Sequence, residues 1–457
     1  MSDNKPTVLI VGAGLGGLML GALLEKTGVP YTIFERAAVV KPLGSAMSVG
    51  PTLLPIFQQL GIYDEFLTIG KYGTHTETYR ETLEPYKPTD HRPVEDFTGY
   101  GQYIIARPSL YALILKQVPA HKIHFSKRVV SITEQEDKIT IQTADNSTYE
   151  GDILVGADGA YSSVRQSLHE KLKKEGKLPE SDQEDLPFSC TCLVGQTKVL
   201  DPEEFPVVKE RLCKFMTVLG NDKPYSWAVI TTAQNTLVYS IIEHLDKTTS
   251  KAAMEKKTGQ KVESQEWGSN PTIAMCNETR AFNIPLGNGK KGTLGDLYDL
   301  TPKDMISKVM LEEKVFKTWH HGRTVLLGDG AVTAFHDAIA LANLIYAAPS
   351  RTSSDVTQIF EDYHKERLPA VLESFRNSQL MAKFMEKSLT GTIVLFLITH
   401  MPMWLWRIVL SKTVRYRPQV GFLPAIPLQG TVAPFVSPSE QKARAVFVKR
   451  QEAAASL

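Results

Sequence analysis

The chain has 457 residues, and its 51 basic and 50 acidic side chains leave a formal net charge of +1. This balance, with no basic stripe along the chain, excludes a nucleic-acid partner. A chain of this length exceeds a single hydrophobic core, so two or three substructures are expected.

The first predicted element is a strand that leads into a glycine-rich turn. Residues 8–11 are apolar and mostly β-branched, as in a strand buried within a parallel sheet. Gly12, Gly14 and Gly17 follow, at the spacing that permits a tight turn, close approach to a pyrophosphate and close helix–strand packing. Residues 18–26 are rich in Leu, Ala and Met and predict the helix, whose N-terminus would face the phosphates.

A second predicted strand ends in an acidic residue. Residues 31–34 form this strand, and Glu35 follows, about 20 residues past the glycines, where its carboxylate can accept ribose hydroxyl hydrogens. Arg36 beside it is a further candidate cofactor contact. The alternatives are a structural glycine turn or a secretory signal, but the glycines and the following strand do not fit a signal peptide. The segment therefore predicts dinucleotide binding and no signal peptide.

Further predicted elements alternate between helices and strands. They are a helix at 53–60 ended by Gly61, short strands in the turn-rich 75–105, a helix at 109–118, a β pair at 124–132 and 138–143, and a buried strand at 151–155. The last of these strands runs into the turn Ala157-Asp158-Gly159.

The second half of the chain begins with charged residues at 170–186, which predict a solvated linker. Strands recur near 188–198, 213–219, 225–232 and 236–243, and a polar surface loop or helix is expected at 247–269. Residues 303–315 predict an amphipathic helix. A last buried strand is expected at 324–327, before helices that continue to about residue 390.

Four cysteines, Cys190, Cys192, Cys213 and Cys276, are too few for a disulfide framework. Cys190 and Cys192 share one face of a predicted strand, but no further Cys or His completes a metal-ligand spacing. We therefore expect buried apolar thiols, no metal site and a reducing, cytosolic location.

The order of these motifs resembles that of the group A FAD-dependent monooxygenases, which have the para-hydroxybenzoate hydroxylase fold. The resemblance covers residue 7 to about residue 430. It rests on the glycine turn with Glu35, then Arg107-Pro-Ser-Leu110, then Asp158-Gly159 with Arg165, then Gly328-Asp329. Within the family, the likeness is to fungal monooxygenases and epoxidases of the meroterpenoid and indole-diterpene type.

The resemblance implies an α/β fold in which a Rossmann-type FAD-binding domain is assembled from residues 1–74, 107–169 and 319–348. A mixed or antiparallel β-sheet substrate domain would be inserted, with strands at 75–106 and its main part at 170–318. Residues 349–457 would form C-terminal helices that include an apolar, membrane-associating segment at 391–410.

The resemblance also implies roles for single residues. Arg107 would contact the ribityl–phosphate region of FAD, with a surface ion pair as the alternative. Asp158-Gly159 would lie by the pyrophosphate, in a turn that the family links to both FAD and NAD(P)H, and Asp329 would hold a ribityl hydroxyl. The other positions that match cofactor contacts of the family are Gly44, Gly330 and Ala331.

The activity implied is that of a monooxygenase. FAD would be bound, NAD(P)H would be a transient reductant, and one oxygen atom from O2 would enter a small lipophilic substrate by epoxidation or hydroxylation. The single glycine motif agrees with this, because it leaves the nicotinamide cofactor without a Rossmann domain of its own. The alternatives are a reductase or dehydrogenase of the same fold, or a catalytically impaired, membrane-associated homologue.

One departure from the family pattern motivates the last alternative. In the family, the Gly-Asp pair is followed by a loop of the type Ala-x-His-x-x-x-Pro-x-x-Gly-x-Gly, whereas here Asp329 runs directly into Gly330-Ala331. About eleven residues are missing relative to the family spacing. The missing stretch would supply backbone beside the flavin ring. His336 is not the loop histidine of the family, and a packing or surface role within a helix is expected for it.

The C-terminal segment 391–410 is long enough to cross a bilayer, but Pro402 interrupts it, and His400 and Arg407 would be costly within the hydrocarbon. An aromatic–basic edge suits the headgroup region instead, and it consists of Trp404, Trp406, Arg407, Lys412, Arg415 and Arg417. The pattern favours attachment of residues 391–417 to the cytosolic face of a membrane. The alternatives are a single spanning helix, and a buried helix or homodimer contact.

Overall fold

The computed structural model describes residues 5–40, 45–184, 188–220, 223–245, 269–286, 291–312, 314–328, 330–385, 393, 396–397 and 400–455. Gly44 and Asp329 lie outside the described residues, as do most of the expected loop or helix at 247–269 and much of the segment 391–400.

The strands, β1 to β21 in chain order, are Val8–Val11, Tyr31–Phe34, Ala46–Val49, Lys71–Tyr72, His75–Arg80, Thr89–Asp90, Tyr103–Ala106, Ile123–His124, Val129–Glu134, Ile139–Thr143, Thr148–Gly151, Ile153–Gly156, Phe188–Gln196, Phe215–Leu219, Tyr225–Thr231, Leu237–His244, Asn283–Pro285, Lys291–Thr293, Ile306–Glu312, His320–His321 and Thr324–Leu326.

The α-helices, α1 to α14 in chain order, are Leu15–Glu25, Leu54–Leu60, Tyr63–Ile69, Pro93–Thr98, Arg107–Leu115, Ser163–Lys174, Glu180–Gln183, Pro206–Lys209, Ser269–Thr279, Leu294–Asp299, Ala331–Ala347, Ser353–Met385, Met403–Thr413 and Pro438–Ala455.

The first sheet has the order β20-β21-β12-β1-β2-β8 and is parallel except for β20. Every residue of the central strand β1 is buried. The apolar face of α1 and of α11 packs on one side of the sheet, and the antiparallel sheet β11-β10-β9 packs on the other. Because the parallel strands end at one edge, the loops after β1, β2, β12 and β21 meet there.

The second large sheet has the order β19-β13-β16-β15-β14-β5-β6 and is antiparallel except for the parallel pair β14–β5. Its core side is built on Trp227 and Tyr239, against Phe282 and Leu294 from the segment that contains α9 and α10. The small sheet β3-β7-β4 touches it through Ile104, which clusters with the thiol-bearing Cys213 and with Ile230. The expected mixed α/β fold with several sheets is therefore confirmed.

Two sequence predictions are wrong. Residues 303–315 were expected to be a helix, but Ile306–Glu312 is a strand that pairs antiparallel with β13, with Val309 opposite Cys192. The free edge of β13 offers backbone partners that the local apolar pattern cannot reveal. The expected linker at 170–186 is helical in part, because Leu168, Leu172 and Leu178 form a small apolar cluster beneath the charged surface.

The C-terminal region lies against the first sheet's helices. The apolar core that contains α11 also includes Val420, Phe422 and Ala443. Over the described part of the chain, no helix combines the length and the apolar character needed to cross a membrane. The four cysteines are free thiols, and Cys192 and Cys213 are buried while Cys190 and Cys276 are half-buried.

Candidate dinucleotide site

The turn after β1 shows why two of its glycines are required by the fold. Gly12 has φ +109°, and a Cβ atom there would lie 2.4 Å from the carbonyl oxygen of Ala157. A Cβ atom on Gly17 would lie 2.0 Å from the carbonyl oxygen of Gly12. Side chains at both positions would collide with backbone. Gly12 and Gly17 therefore bring β1, β12 and α1 into close contact.

Gly14 differs from the other two glycines. No heavy atom lies within 4 Å of the position where its Cβ would be, so the folded protein alone does not require a glycine there. Gly14 is the N-cap of α1, and no side chain caps this helix end. The turn therefore leaves open space at a helix N-terminus, where a phosphate group can approach unpaired N–H groups.

The N-terminus of α11 lies close to the N-terminus of α1. Gly330 is the N-cap of α11, Ala331 is its first residue, and no side chain caps it. The two helices are in close contact, since a Cβ on Gly16 would lie 2.9 Å from the Cβ of Ala334. The first turns of the two helices therefore lie side by side, and their positive dipole ends face the same edge of the first sheet.

Glu35 lies at the end of β2 and is fixed by two backbone hydrogen bonds. Its Oε2 accepts the N–H of Ala13 at 2.9 Å, and its Oε1 accepts the N–H of Ala37 at 2.8 Å. The side chain is half-buried, whereas Arg36 is exposed. The carboxylate is thus held beside the glycine turn with lone pairs left for further donors.

Asp158 serves the fold directly, as the N-terminal partner of α6. Its Oδ2 accepts the backbone N–H of Ser163 at 2.7 Å and that of Val164 at 3.3 Å. Its Oδ1 accepts the hydroxyl hydrogen of Ser162. Gly159 follows with φ +79° and open space around its Cβ position. The sequence analysis did not predict this role. The N-cap of α6 is Ser162, whose hydroxyl accepts the N–H of Arg165 at 2.9 Å, and a Ser at this position is a familiar start of a helix.

Arg107 begins α5, and its side chain is exposed. Its backbone N–H donates to the carbonyl of Ser45 at 2.8 Å, which places it beside the start of β3. Within the described ranges, the guanidinium has no hydrogen bond or ion pair. Nearby protein atoms displace part of its hydration and lower its pKa from the usual value. The cation is therefore available to an anionic ligand.

The end of β21 at Gly328 is held by residues that the sequence analysis did not identify. Asp337 accepts the N–H of Gly328 through Oδ2 at 2.9 Å, and its Oδ1 accepts the Nε–H of Arg367 at 2.7 Å. Both side chains are almost fully buried. Burial is the largest single effect on Arg367 and lowers its pKa. The charge and hydrogen bond of Asp337, together with Tyr416 and Tyr363, outweigh burial, so the pKa of Arg367 is raised. In the sequence, the only local indication of this buried ion pair is an acidic residue inside the apolar helix α11.

His336 lies within α11, is buried, and has Nε2 3.1 Å from the carbonyl oxygen of Thr52. Its ring packs edge-on against Tyr416, with centroids 5.0 Å apart. These contacts agree with the packing role expected for it.

The sequence is similar to those of known flavin-dependent proteins. Residues 5–195 match the family described as the FAD binding domain. An FAD-dependent monooxygenase of Penicillium ochrochloron is 25% identical over 409 residues, which cover 84% of this chain and 90% of the relative. An FAD-dependent monooxygenase of Apiospora sacchari is 27% identical over 413 residues, which cover 84% of this chain and 80% of the relative.

Solved structures show the same fold. Klebsiella pneumoniae HpxO, complexed with FAD and uric acid, aligns with a TM-score of 0.68 at 16% identity, over 89% of this chain and 96% of that one. CtdE, in complex with FAD and a substrate, aligns with a TM-score of 0.63 at 16% identity, over 84% of this chain and 91% of that one.

Proposed function

We propose that this chain is an FAD-dependent monooxygenase. FAD would bind across the turn after β1 and the N-terminus of α11. The observation that carries the proposal is that two uncapped helix N-termini lie side by side, one of them with open space beside Gly14. A pyrophosphate carries the charge that this arrangement stabilises. The match of residues 5–195 to the FAD binding domain supports the same cofactor.

The chain's own residues would hold the two ends of FAD. Glu35, already fixed by backbone N–H groups, would accept the ribose hydroxyls of the adenosine half, next to Arg36. Arg107 would supply a cation near the ribityl–phosphate region, with Gly159, Gly330 and Ala331 lining the phosphates. Gly44 and Asp329 remain proposed contacts on family resemblance, outside the described residues.

The bound flavin supplies the redox chemistry, taking electrons from NAD(P)H and activating O2 for transfer of one oxygen atom to a substrate. The protein's task is to orient the cofactor and substrate and to exclude water. We propose a small lipophilic substrate, because the attachment to a membrane proposed below would allow such a substrate to be drawn from the membrane. Epoxidation and hydroxylation are both compatible with this assignment.

The short connection between β21 and α11 supports a second candidate function, that of a monooxygenase homologue with impaired catalysis. Strand β21 ends at Leu326 and α11 begins at Ala331, so only residues 327–330 connect them. A connection this short would supply less backbone beside the ring end of the flavin than the loop of the family does. Poor shielding would favour reduction of O2 to hydrogen peroxide without oxygenation of a substrate.

The experiment that separates these candidates uses the purified full-length chain. Flavin content is read from absorbance at about 450 nm, and oxidation of NADH and NADPH is followed with and without O2 while hydrogen peroxide is measured. With an accepted lipophilic substrate present to take up one oxygen atom, a coupled monooxygenase consumes O2 with little peroxide, and an impaired one releases peroxide. Reduction of an artificial electron acceptor without any need for O2 would indicate a reductase or dehydrogenase.

We further propose attachment to the cytosolic face of a membrane through an exposed face of α13. This helix has 11 residues and begins after Pro402, so it extends for about 16 Å. Trp404 is 64% exposed and Ile408 is 45% exposed, one helical turn apart. Lys412 and Arg415 are exposed beside them. An aromatic and aliphatic face bordered by cations suits the headgroup region.

Only some residues of the predicted aromatic–basic edge are free to face a membrane, because others contact the protein. Trp406 donates its Nε1–H to the carbonyl of Asp90 at 2.7 Å, and Arg407 pairs with Asp96 at 3.2 Å. Arg417 is buried and donates to the carbonyl of Val414 at 2.6 Å. Trp406 and Arg407 join α13 to Asp90 and Asp96, and Arg417 is not available at the surface. The proposed membrane face is therefore smaller than the sequence indicated.

A further inference from the structure

Residues 418–439 contain no charged side chain, although charged residues make up 22% of the chain. The first part of this stretch is buried, since Val420 and Phe422 belong to the apolar core that contains α11. The part at 424–436 differs, because most of its residues are exposed. We call residues 424–436 the uncharged loop.

The uncharged loop exposes large apolar side chains. Leu428 is 61% exposed, Phe435 is 56% exposed and Val436 is 47% exposed. Exposed prolines at 424 and 427 add apolar surface and prevent a regular helix. Single exposed apolar side chains are ordinary on a protein surface, but several in one loop without any charge indicate an interaction surface.

Hydrogen bonds hold the backbone of the uncharged loop in place. The N–H of Val432 donates to the carbonyl of Phe97 at 2.9 Å, and the N–H of Phe435 donates to the carbonyl of Arg415 at 2.8 Å. Gly430, at φ +74°, lies so close to α4 that a Cβ atom there would be 2.4 Å from the carbonyl oxygen of Phe97. A loop that is already ordered loses little conformational entropy when a partner covers its side chains.

The uncharged loop adjoins α13. Val432 packs against the apolar cluster that contains Leu410 of α13. Arg415, which accepts a hydrogen bond from the loop, follows α13 directly, and both Arg415 and Lys412 are exposed. The two elements therefore present neighbouring apolar surfaces beside cations, a pattern that suits a bilayer with anionic headgroups.

We propose that the uncharged loop is a second membrane contact, which inserts the side chains of Leu428, Phe435 and Val436 into the surface of a bilayer that contains anionic lipid. The proposal rests on the membrane attachment proposed for α13 and adds a second point of contact to it. Lys412 and Arg415 would lie among the headgroups. Two adjacent contacts would restrict rotation of the protein about the axis of α13.

The insertion would be shallow. Within the described ranges, the N–H groups of Gln429 and Ala433 have no hydrogen-bond partner, and an unpaired backbone group is costly within hydrocarbon. Only the side chains would therefore pass between the headgroups, while the backbone of the loop stays where water can reach it.

The test is flotation of the full-length chain with vesicles of phosphatidylcholine and phosphatidylserine. Leu428→Ser with Phe435→Ser should weaken vesicle binding about tenfold. Leu212→Ser with Ile273→Ser is the matched control, because it removes apolar side chains that are 42% and 53% exposed outside the loop, and it should leave binding unchanged. Binding of the loop variant equal to that of the parent would overturn the proposal.

Hydrogen exchange of the unmodified chain needs no variant. Peptides that cover 424–436 should exchange several-fold more slowly when the chain is bound to vesicles, whereas the exposed turn at 144–147 should exchange at the same rate. Unchanged exchange across 424–436 on vesicles that bind the chain would overturn the loop contact.

Trp404→Ser with Ile408→Ser separates this proposal from the one for α13. If that variant loses vesicle binding while the loop variant keeps it, the attachment through α13 stands and the loop contact is refuted. If only the loop variant loses binding, the loop is a contact and the face of α13 is not. A parent chain that does not float refutes both. Flavin content per chain should be the same in every variant, so the FAD assignment is tested independently.

Discussion

Asp337 accepts the Nε–H of Arg367 at 2.7 Å and, with its other oxygen, the backbone N–H of Gly328 at 2.9 Å. One buried carboxylate thus joins α11, α12 and the end of β21. Tyr363, one turn before Arg367 on α12, donates its hydroxyl to the carbonyl of Leu326 at 3.1 Å. The end of β21, from Leu326 to Gly328, is therefore held in place by side chains from two helices.

Arg367→Met should destabilise the protein by about 3–5 kcal/mol, because it leaves the Asp337 charge buried without its cation. Chemical denaturation followed by circular dichroism measures the change. Arg376→Met, an exposed position on the same helix, is the matched control and should cost less than about 0.5 kcal/mol. Equal effects of the two substitutions would show that the buried pair is unimportant.

Gly14→Val should abolish FAD retention while the protein still folds. The Cβ position at Gly14 is open, so the collision would be with bound pyrophosphate and not with the protein. Flavin absorbance per chain and the melting temperature are measured together. Gly73→Ala is the control, since its Cβ would meet only ordinary contacts from 3.7 Å. A Gly14→Val protein that purifies with the parent's flavin content would refute the assignment.

The short connection after β21 should limit flavin binding and coupling more than folding. Loop closure changes slowly with length, and both flanks are anchored. We expect the unmodified chain to fold, to hold FAD at low occupancy and to oxidise NAD(P)H with poor coupling to oxygenation. Full occupancy with coupled turnover in the unmodified chain would contradict this.

Insertion of a family-type Ala-x-His-x-x-x-Pro-x-x-Gly loop between Asp329 and Gly330 should raise flavin content per chain. The inserted backbone would shield the ring end of the flavin. A Gly-Ser insertion of the same length is the control for added length alone. If both insertions raise flavin content equally, sequence-specific contacts are not the cause.

Trp404→Ser with Ile408→Ser should weaken binding to vesicles that contain anionic lipid by about tenfold or more, because these side chains form the outer face of α13. Flotation of the full-length chain with vesicles measures it. Val199→Ser is the control, since Val199 is 68% exposed on the other large sheet's side of the chain. Undiminished flotation of the double variant, or no flotation of the parent, would reject this surface.

Stability should fall as the pH drops below about 6.5, and His336 should be one cause. Burial first, and then the charge of Arg367, lower the pKa of His336 from 6.5 to about 3. Between these values the unfolded chain holds the proton and the folded chain does not, so folding loses up to ~1.4 kcal/mol per pH unit.

His336→Gln removes this titration, and the free energy of unfolding should then depend less steeply on pH between about 6 and 4. A remaining slope is expected from His320, whose pKa burial lowers to about 4. His121→Gln at an exposed site is the control. An unchanged slope in His336→Gln would show that this residue is not the source.

The sequence alone determined the parts of this protein that depend on local pattern. The buried run at Val8–Val11, the spacing of Gly12, Gly14 and Gly17, and the acid after the second strand each lie within one segment. Local backbone geometry decides what such a segment can do, and the strand and helix formed as expected. The resemblance of motif order to flavin monooxygenases followed from the same local signals.

Only the tertiary structure decided features that join distant segments. Ile306–Glu312 became a strand because β13 offered a free edge, against its helical pattern. Asp337 and Arg367 are 30 residues apart. Two of the six members of the aromatic–basic edge near α13, Trp406 and Arg407, contact Asp90 and Asp96. Local patterns record preferences, whereas backbone partners and burial at these positions come from elements that meet only when the chain has folded.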